Sequence, residues 1–285
     1  MRSRAVAYAG LMGSLGLLLA ACASGPAFIA KDAPAIERIK WSVGQAPKTL
    51  SPVEQAEFLT DAESSLMTHD RWTPKGVHRV PIHFGHGVRG NLYFKDGAPT
   101  PMPVVVWLHP LSYHSGYNEG YGVQGTTVYQ RLAENGFAVI AYDQCGFGLR
   151  LLEGRDFYKN HPRWSKLGRM VMDARAAVSF AVEGRGAAKS VIPEFDTKRV
   201  FLLGYSSGAL TAMYAGALDN RVAGMACFSG WTPLRNARNA RATGGNRRFW
   251  EQHALQPRLG LFDGRESEMP FDYDDVLGLV LPKPC

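Results

Sequence analysis

Cysteine is scarce in this chain, with four in 285 residues, at positions 22, 145, 227 and 285. That spacing matches neither a disulfide scaffold nor a zinc site, although export would allow one bridge. Cys145 and Cys227 fall in or beside expected strands, where a thiol is usually a small buried residue. Neither sign of charge is in large excess. The 32 basic and 25 acidic residues give +7, and the balance moves nearer zero if Arg2 and Arg4 leave with a leader. Such a mild charge does not point to nucleic acid. Internal repeats and low-complexity blocks are missing, and no residue class is extreme, which excludes collagen-like and coiled-coil architectures. Disorder is excluded by the 46% hydrophobic content, enough apolar surface to offset the entropy of ordering.

The chain opens Met1-Arg2-Ser3-Arg4 and runs apolar through Leu17-Leu18-Leu19 to Ala21-Cys22. A basic start, an apolar stretch short for a bilayer span and small residues at its end make a secretory leader. Leu19-Ala20-Ala21-Cys22 resembles the bacterial lipobox, which implies cleavage before Cys22 and a lipid anchor on its thiol. The same residues also fit an ordinary signal peptide cut near Ala21 or Ser24, or an uncleaved anchor. The lipobox resemblance implies an exported lipoprotein of the bacterial cell envelope, and Ala23 resembles the outer-membrane, periplasm-facing sorting pattern. The expected organisation is a leader over 1–21, a tether and lead-in over 22–75 with a short helix near Pro52–Met67, and a folded domain over 76–285.

From Val77 the texture turns to strands. Val80, Ile82 and Phe84 alternate, and 88–94 follows a Gly-rich turn, so the pair reads as an antiparallel hairpin. Pro103–Leu108, Phe137–Tyr142 and Val200–Leu203 are continuous apolar runs suited to strands covered on both faces. Between them come a helix closing over Gln130–Asn135 with Gly136 as its stop, and an apolar stripe Leu167, Met170, Val171, Ala174, Val178, Ala181 at helical spacing. A small-residue helix over Ala209–Leu218 and a fourth strand over Val222–Phe228 follow. Strand–helix alternation predicts an α/β fold: a mostly parallel sheet with helices on both faces.

Gly204-Tyr205-Ser206-Ser207-Gly208 matches G-x-S-x-G and sits directly between a buried strand and the small-residue helix. That context is what a nucleophile elbow requires. A sharp strand-to-helix turn brings backbones together, leaving no room for side chains at 204 and 208. The serine is forced to the C-terminal rim of the sheet, where the following helix directs its free N–H groups. Ser206 is the candidate nucleophile, and the N–H of Ser207 a candidate oxyanion donor. A tight turn of small residues without chemistry is the plain alternative.

With this motif the chain resembles the α/β-hydrolase superfamily, nearest its esterase and prolyl-oligopeptidase-like branch, which includes acetyl xylan esterases and dienelactone hydrolases. His109-Pro110-Leu111 resembles the branch's His-Gly segment, which implies that the N–H of Leu111 is the second oxyanion donor. Asp143-Gln144-Cys145-Gly146-Phe147-Gly148 resembles its Asp-x-x-Gly-x-Gly turn. The segment from Pro270 to Pro284 resembles the lead-in to the strand after the elbow's neighbour. The resemblance implies hydrolysis of a small-molecule ester, or second a peptide, through a Ser206 acyl-enzyme. It implies no cofactor, no metal and no nucleic-acid partner, with membrane contact confined to the anchor at Cys22.

Family members place an acid and then a histidine after the serine, whereas this sequence reaches Cys285 where the next strand is expected to begin. The fold is therefore expected to lack its last strands. An interrupted reading frame, a second chain supplying the strands, or a non-catalytic binding protein on the same scaffold each accounts for this. His253 is the one histidine after Ser206. It sits in an expected helix before Pro257, and it reads either as a structural, rim-lining residue or as the base. Of the remaining histidines, 78 and 83 have opposite parity on their strand and do not converge on a metal. Arg235, Arg238, Arg241, Arg247 and Arg248 form either a solvated face or a guanidinium gate for anionic substrates. Tyr113, Tyr117, Tyr121 and Trp231 are candidates to line a cleft or to pack.

Overall fold

The computed structural model describes residues 28–48, 50, 73–118, 126–183, 192–237 and 244–285. The expected leader, Cys22 and the helix near Pro52–Met67 lie outside these residues. Among the described residues no helix is long and apolar enough to cross a membrane.

The described chain divides into two units, and the larger comprises Lys48–Gly154, Arg169–Trp231 and Asp274–Cys285. Its six strands are β1 (Val77–Phe84), β2 (Val88–Lys95), β3 (Met102–Leu108), β4 (Ala138–Tyr142), β5 (Phe195–Tyr205) and β6 (Gly224–Phe228). They form one sheet in the order β1-β2-β4-β3-β5-β6. The hairpin β1–β2 is antiparallel and joins β4 antiparallel, while β4–β3, β3–β5 and β5–β6 are parallel. This is the expected α/β architecture with its N-terminal hairpin.

The apolar runs are buried as a doubly covered sheet demands. Val104, Val106, Leu108, Val139, Ile140 and Tyr142 have no exposure, and each such side chain contributes about 1.5–3 kcal/mol by leaving water. On one face Val105, Trp107, Val139 and Ala141 pack with Tyr129 and Ala133 of helix α2 (Val128–Glu134). On the other, Phe84 meets Tyr142 edge-on at 5.1 Å and lies 6.2 Å from Phe180 of helix α4 (Lys166–Glu183). Helix α5 (Ser207–Leu218) follows β5 at once, and Thr211 Oγ1 lies 3.9 Å from Met170 Sδ of α4. At the edge of the sheet, the Met225 N–H donates to the Pro284 carbonyl at 3.0 Å. The segment after helix α6 (Tyr273–Val280) therefore reaches the outer side of β6.

The smaller unit comprises Met1–Pro47, Arg155–Gly168 and Thr232–Tyr273. A helix α1 (Ala35–Val43), which the sequence reading treated as tether, buries Ile39, Trp41 and Val43. Trp41 lies 6.2 Å edge-on from Phe262. Two backbone bonds, Ser165 N–H to Val43 O at 3.0 Å and Leu167 N–H to Leu255 O at 3.1 Å, bind its segments together. Asp272 is a buried anchor whose carboxylate accepts the N–H groups of Leu234 (2.7 Å), Arg235 (3.1 Å) and Tyr273 (2.8 Å). Helix α3 spans Leu151–Asn160.

Candidate active site

The turn between β5 and α5 is as sharp as G-x-S-x-G requires. Ser206 holds φ 54° and ψ −119°, a conformation that disfavours an L-residue and persists only where the surroundings enforce it. Three backbone bonds do so. The Ser206 N–H donates to Phe228 O at 2.8 Å, while Ser206 O accepts from Ala209 N (3.0 Å) and Leu210 N (3.2 Å). The glycines are obligatory on steric grounds. A Cβ on Gly204 would lie 2.3 Å from Gly208 O, and one on Gly208 would lie 1.9 Å from Leu108 O.

The elbow residues Gly204, Tyr205, Ser206, Ser207 and Gly208 are thus brought together at the C-terminal rim of the sheet. Ser206 is half-buried and Ser207 buried. The first helical bonds to Ser206 O come from residues 209 and 210, so the Ser207 and Gly208 N–H groups precede the intrahelical ladder, as at any helix start. Tyr205 is 47% and Phe228 58% exposed.

Because Gly208 abuts the carbonyls of Leu108 and His109, the loop carrying Leu111 starts directly beside the elbow. His109 fixes that loop. Its Nδ1 lies 2.7 Å from Pro110 O, and its Nε2 lies 3.0 Å from the Gln144 backbone N–H. Gln144 Nε2 returns a bond to His109 O at 2.7 Å. Nε2 must therefore accept and Nδ1 donate, which requires the neutral imidazole. Complete burial lowers the His109 pKa to about 4, outweighing the Pro110 bond and the nearby Asp143. This histidine ties the end of β3 to the end of β4, and the sequence reading noticed it only as part of the His-Pro-Leu segment.

The Asp-x-x-Gly-x-Gly turn has a similar logic. Asp143 accepts the Tyr117 N–H at 2.9 Å through Oδ1 and the Leu149 N–H at 2.8 Å through Oδ2. Gly148, at φ 53°, leaves the room that the carboxylate occupies. The Gly148 N–H donates to Tyr113 O at 3.0 Å, joining the loops after β3 and β4. Tyr117 is buried by these contacts and Tyr113 is partly exposed; Tyr121 lies outside the described residues.

Beneath the β4 loop lies a charge network that sequence reasoning missed. Arg150 clasps Glu153 at 2.7 and 3.0 Å, and its Nη1 donates to Asp173 Oδ2 at 2.8 Å and to Asp143 O at 3.1 Å. Arg169 reaches Asp173 at 3.0 Å and His86 O at 2.9 Å. Burial pushes the Glu153 pKa up, but Arg150 and Arg169 outweigh it and hold the carboxyl below its usual range. Arg150 stays charged because Asp173 and Glu153 overcome its desolvation. The available signals were the Arg150/Glu153 and Arg169/Asp173 pairs at i,i+3 and i,i+4 spacing.

His253 belongs to the smaller unit, and Ser206 to the larger. It follows a π-helical turn, Arg248–Gln252, where a helix was expected. Burial, with Arg248 and Lys166 nearby, lowers its pKa below the ordinary imidazole value. Its neighbour Ala254 has φ 49°, and the Ala254 carbonyl accepts from Tyr158 Oη at 2.6 Å. Among the arginines, Arg235 Nε bonds Met269 O at 3.3 Å, and Arg247 pairs with Glu251 and lies over Trp250. Arg238 and Arg241 lie outside the described residues. His78 pairs with Asp96 and stacks on Phe94, and no group of three metal-ligating side chains occurs among the described residues.

Comparison with known proteins agrees with this architecture. The family described as serine aminopeptidase, S33, matches residues 104–267, which include most of β3, the β4 loop and the elbow. A comparison with curated proteins finds no match. Similar solved structures include a glucuronoyl esterase from Solibacter usitatus (20% identity, 88% of this chain and 72% of that one, TM-score 0.58). Another is a promiscuous CE15 esterase from a marine bacterial metagenome (16% identity, 89% and 72%, TM-score 0.55). A structure from Bacteroides fragilis provisionally named an acetyl xylan esterase also aligns (14% identity, 99% and 74%, TM-score 0.57). At such identities these likenesses speak for the fold, whereas the family match spans more than half the sequence. The chain belongs to the serine aminopeptidase S33 family of α/β-hydrolases.

Proposed function

We propose that the protein is a carboxylic-ester hydrolase that works through an acyl-enzyme on Ser206. The observation that carries this reading is the strained, buttressed turn that holds Ser206 at the sheet rim, at φ 54°. A binding module has no need of backbone strain at a serine flanked by two glycines that cannot be replaced. The esterase fold neighbours agree with an ester substrate.

In this mechanism Ser206 Oγ attacks the ester carbonyl and transfers its proton to a base. The N–H groups of Ser207 and Leu111 receive the oxyanion, each such donor being worth about 2.7–4 kcal/mol of barrier. The alcohol departs with a proton, and water then cleaves the acyl-serine by the reverse sequence. No cofactor enters the scheme.

The family's description favours a second reading, a serine peptidase. Parallel assays of p-nitrophenyl acetate and of an aminoacyl 4-nitroanilide separate the two. The proposal predicts ester turnover that is lost in Ser206→Ala. Anilide turnover exceeding ester turnover would favour the peptidase. No Ser206-dependent turnover of either substrate would overturn the ester-hydrolase reading.

We further propose that the mature protein is lipidated at Cys22 and held at the bacterial cell envelope on the periplasmic side of the outer membrane. Leu19-Ala20-Ala21-Cys22 supports this. If Cys22→Ser leaves membrane retention unchanged, the anchor is not there.

A further inference from the structure

Two of the chain's few thiols lie toward the same edge of the sheet. Cys227 lies on β6 with its Sγ 3.5 Å from Ala209 O, directed toward α5 just beyond the elbow. Met225, two residues earlier, points its side chain the same way, with its sulfur 3.1 Å from where a Cβ on Gly216 would sit. The outer side of β6 is met by the chain's own 281–285 segment. The Met225 N–H bonds Pro284 O at 3.0 Å, and the same oxygen lies 3.0 Å from the Cβ position of Gly224. Lys283 Nζ donates to Asp219 O at 2.9 Å, holding the segment from its other end. Cys285 therefore follows directly on a residue already bonded to β6, and it is exposed whereas Cys227 is half-buried.

We propose that Cys227 and Cys285 are a redox pair, which a small-molecule disulfide such as glutathione disulfide converts into a bridge fastening the 281–285 segment to β6. The inference goes beyond the ester-hydrolase reading and does not depend on it.

A disulfide needs about 4.4–6.8 Å between Cα atoms, so the bridge forms as the exposed residue 285, one past the bonded Pro284, draws in beside β6. Burial, and after it the nearby Cys285, push the Cys227 pKa up to about 12.

Exposure orders the chemistry, since Cys285 is open to solvent and Cys227 is half-buried. The Cys285 thiolate attacks one sulfur of glutathione disulfide, forming a mixed disulfide and releasing one glutathione thiolate. Cys227 then loses its proton to solvent and attacks the Cys285 sulfur, releasing the second. Two protein thiols are oxidised, and one disulfide is reduced to two thiols. The bridge would join the 281–285 segment to the strand whose Phe228 carbonyl holds Ser206.

The test treats the whole protein with glutathione disulfide, alkylates the remaining thiols and maps tryptic peptides by mass spectrometry. In the monomer, peptide 222–235 should be found linked to peptide 266–285. Cys227→Ser should stop at a glutathione adduct on Cys285. Cys285→Ser should slow the loss of the Cys227 thiol by roughly tenfold or more, since a buried, protonated thiol attacks slowly. The proposal is overturned if the wild type accumulates the same Cys285 adduct with Cys227 still alkylatable, or if the linked peptides occur only in a covalent dimer. Ester turnover is not read, so failure of the Ser206 assignment leaves this result interpretable.

Discussion

Replacing Gly208 by alanine tests the elbow through its least compressible contact. The added Cβ would sit 1.9 Å from Leu108 O, 2.4 Å from Leu108 C and 2.7 Å from His109 O. All three atoms are backbone, so no rotamer change relieves the clash. Restoring ordinary van der Waals contact requires the β3 loop and the first turn of α5 to part by about 1.5 Å, an overpacking that generally costs about 1–3 kcal/mol. With only main chain to yield, the upper end, about 3 kcal/mol, is expected. For a chain of this size that corresponds to a fall in Tm of roughly 6–12 °C. The separation also carries the Leu111 loop away from Ser206, and a misplacement of about 1 Å lowers turnover by about a hundredfold. Gly278→Ala is the matched control. Gly278 lies in α6 with nothing within 4 Å of a new Cβ, so alanine there should be neutral or stabilising by up to about 1 kcal/mol. Both variants are compared by thermal melts and by ester turnover. If Gly208→Ala melts with the control, the close approach of loop and helix is not real, and the elbow argument fails.

Two further predictions concern the groups behind the site. Arg150→Met removes the guanidinium shared by Glu153 and Asp173, leaving the buried Asp173 with Arg169 alone and the half-buried Glu153 short of a partner. Equilibrium denaturation should register a loss of about 3–5 kcal/mol, and a loss below 1 kcal/mol would refute the network's role. His109 makes stability pH-dependent. Its folded pKa of about 4 lies below the ordinary 6.5, so between these values the unfolded chain binds the extra proton. This contribution is fully retained above pH 6.5 and is lost as pH falls toward 4, by about 3 kcal/mol in all. Urea unfolding across that window should show the decline in the wild type and a flatter profile in His109→Asn; identical slopes would contradict the assignment.

The parts of this fold legible in the sequence are those where burial leaves no choice. Strands β3 and β4 are covered on both faces, so their residues had to be apolar throughout, and the runs at 103–108 and 137–142 marked them closely. The elbow was legible because two glycines and a serine sit where a buried strand meets small residues. Strand β5 was read short, since its first half, Phe195–Arg199, is polar and largely exposed yet still pairs through Phe195 with Met102. Helix α1 was hidden among prolines, and its Trp41 packs against Phe262, far along the chain. The Arg150 network was illegible because charged residues read as solvent-facing until opposite charges are brought under the same loop. His109 illustrates the same limit. Its neighbour in space, Gln144, is separated from it by a helix and a strand.

The central claim is that Ser206 is an activated nucleophile, and a fluorophosphonate probe tests it most directly. Incubation of the folded protein with the probe, followed by peptide mapping, should place one label on Ser206 and none in Ser206→Ala. A folded wild-type chain that takes no label, or labelling that persists unchanged in Ser206→Ala, would contradict the account.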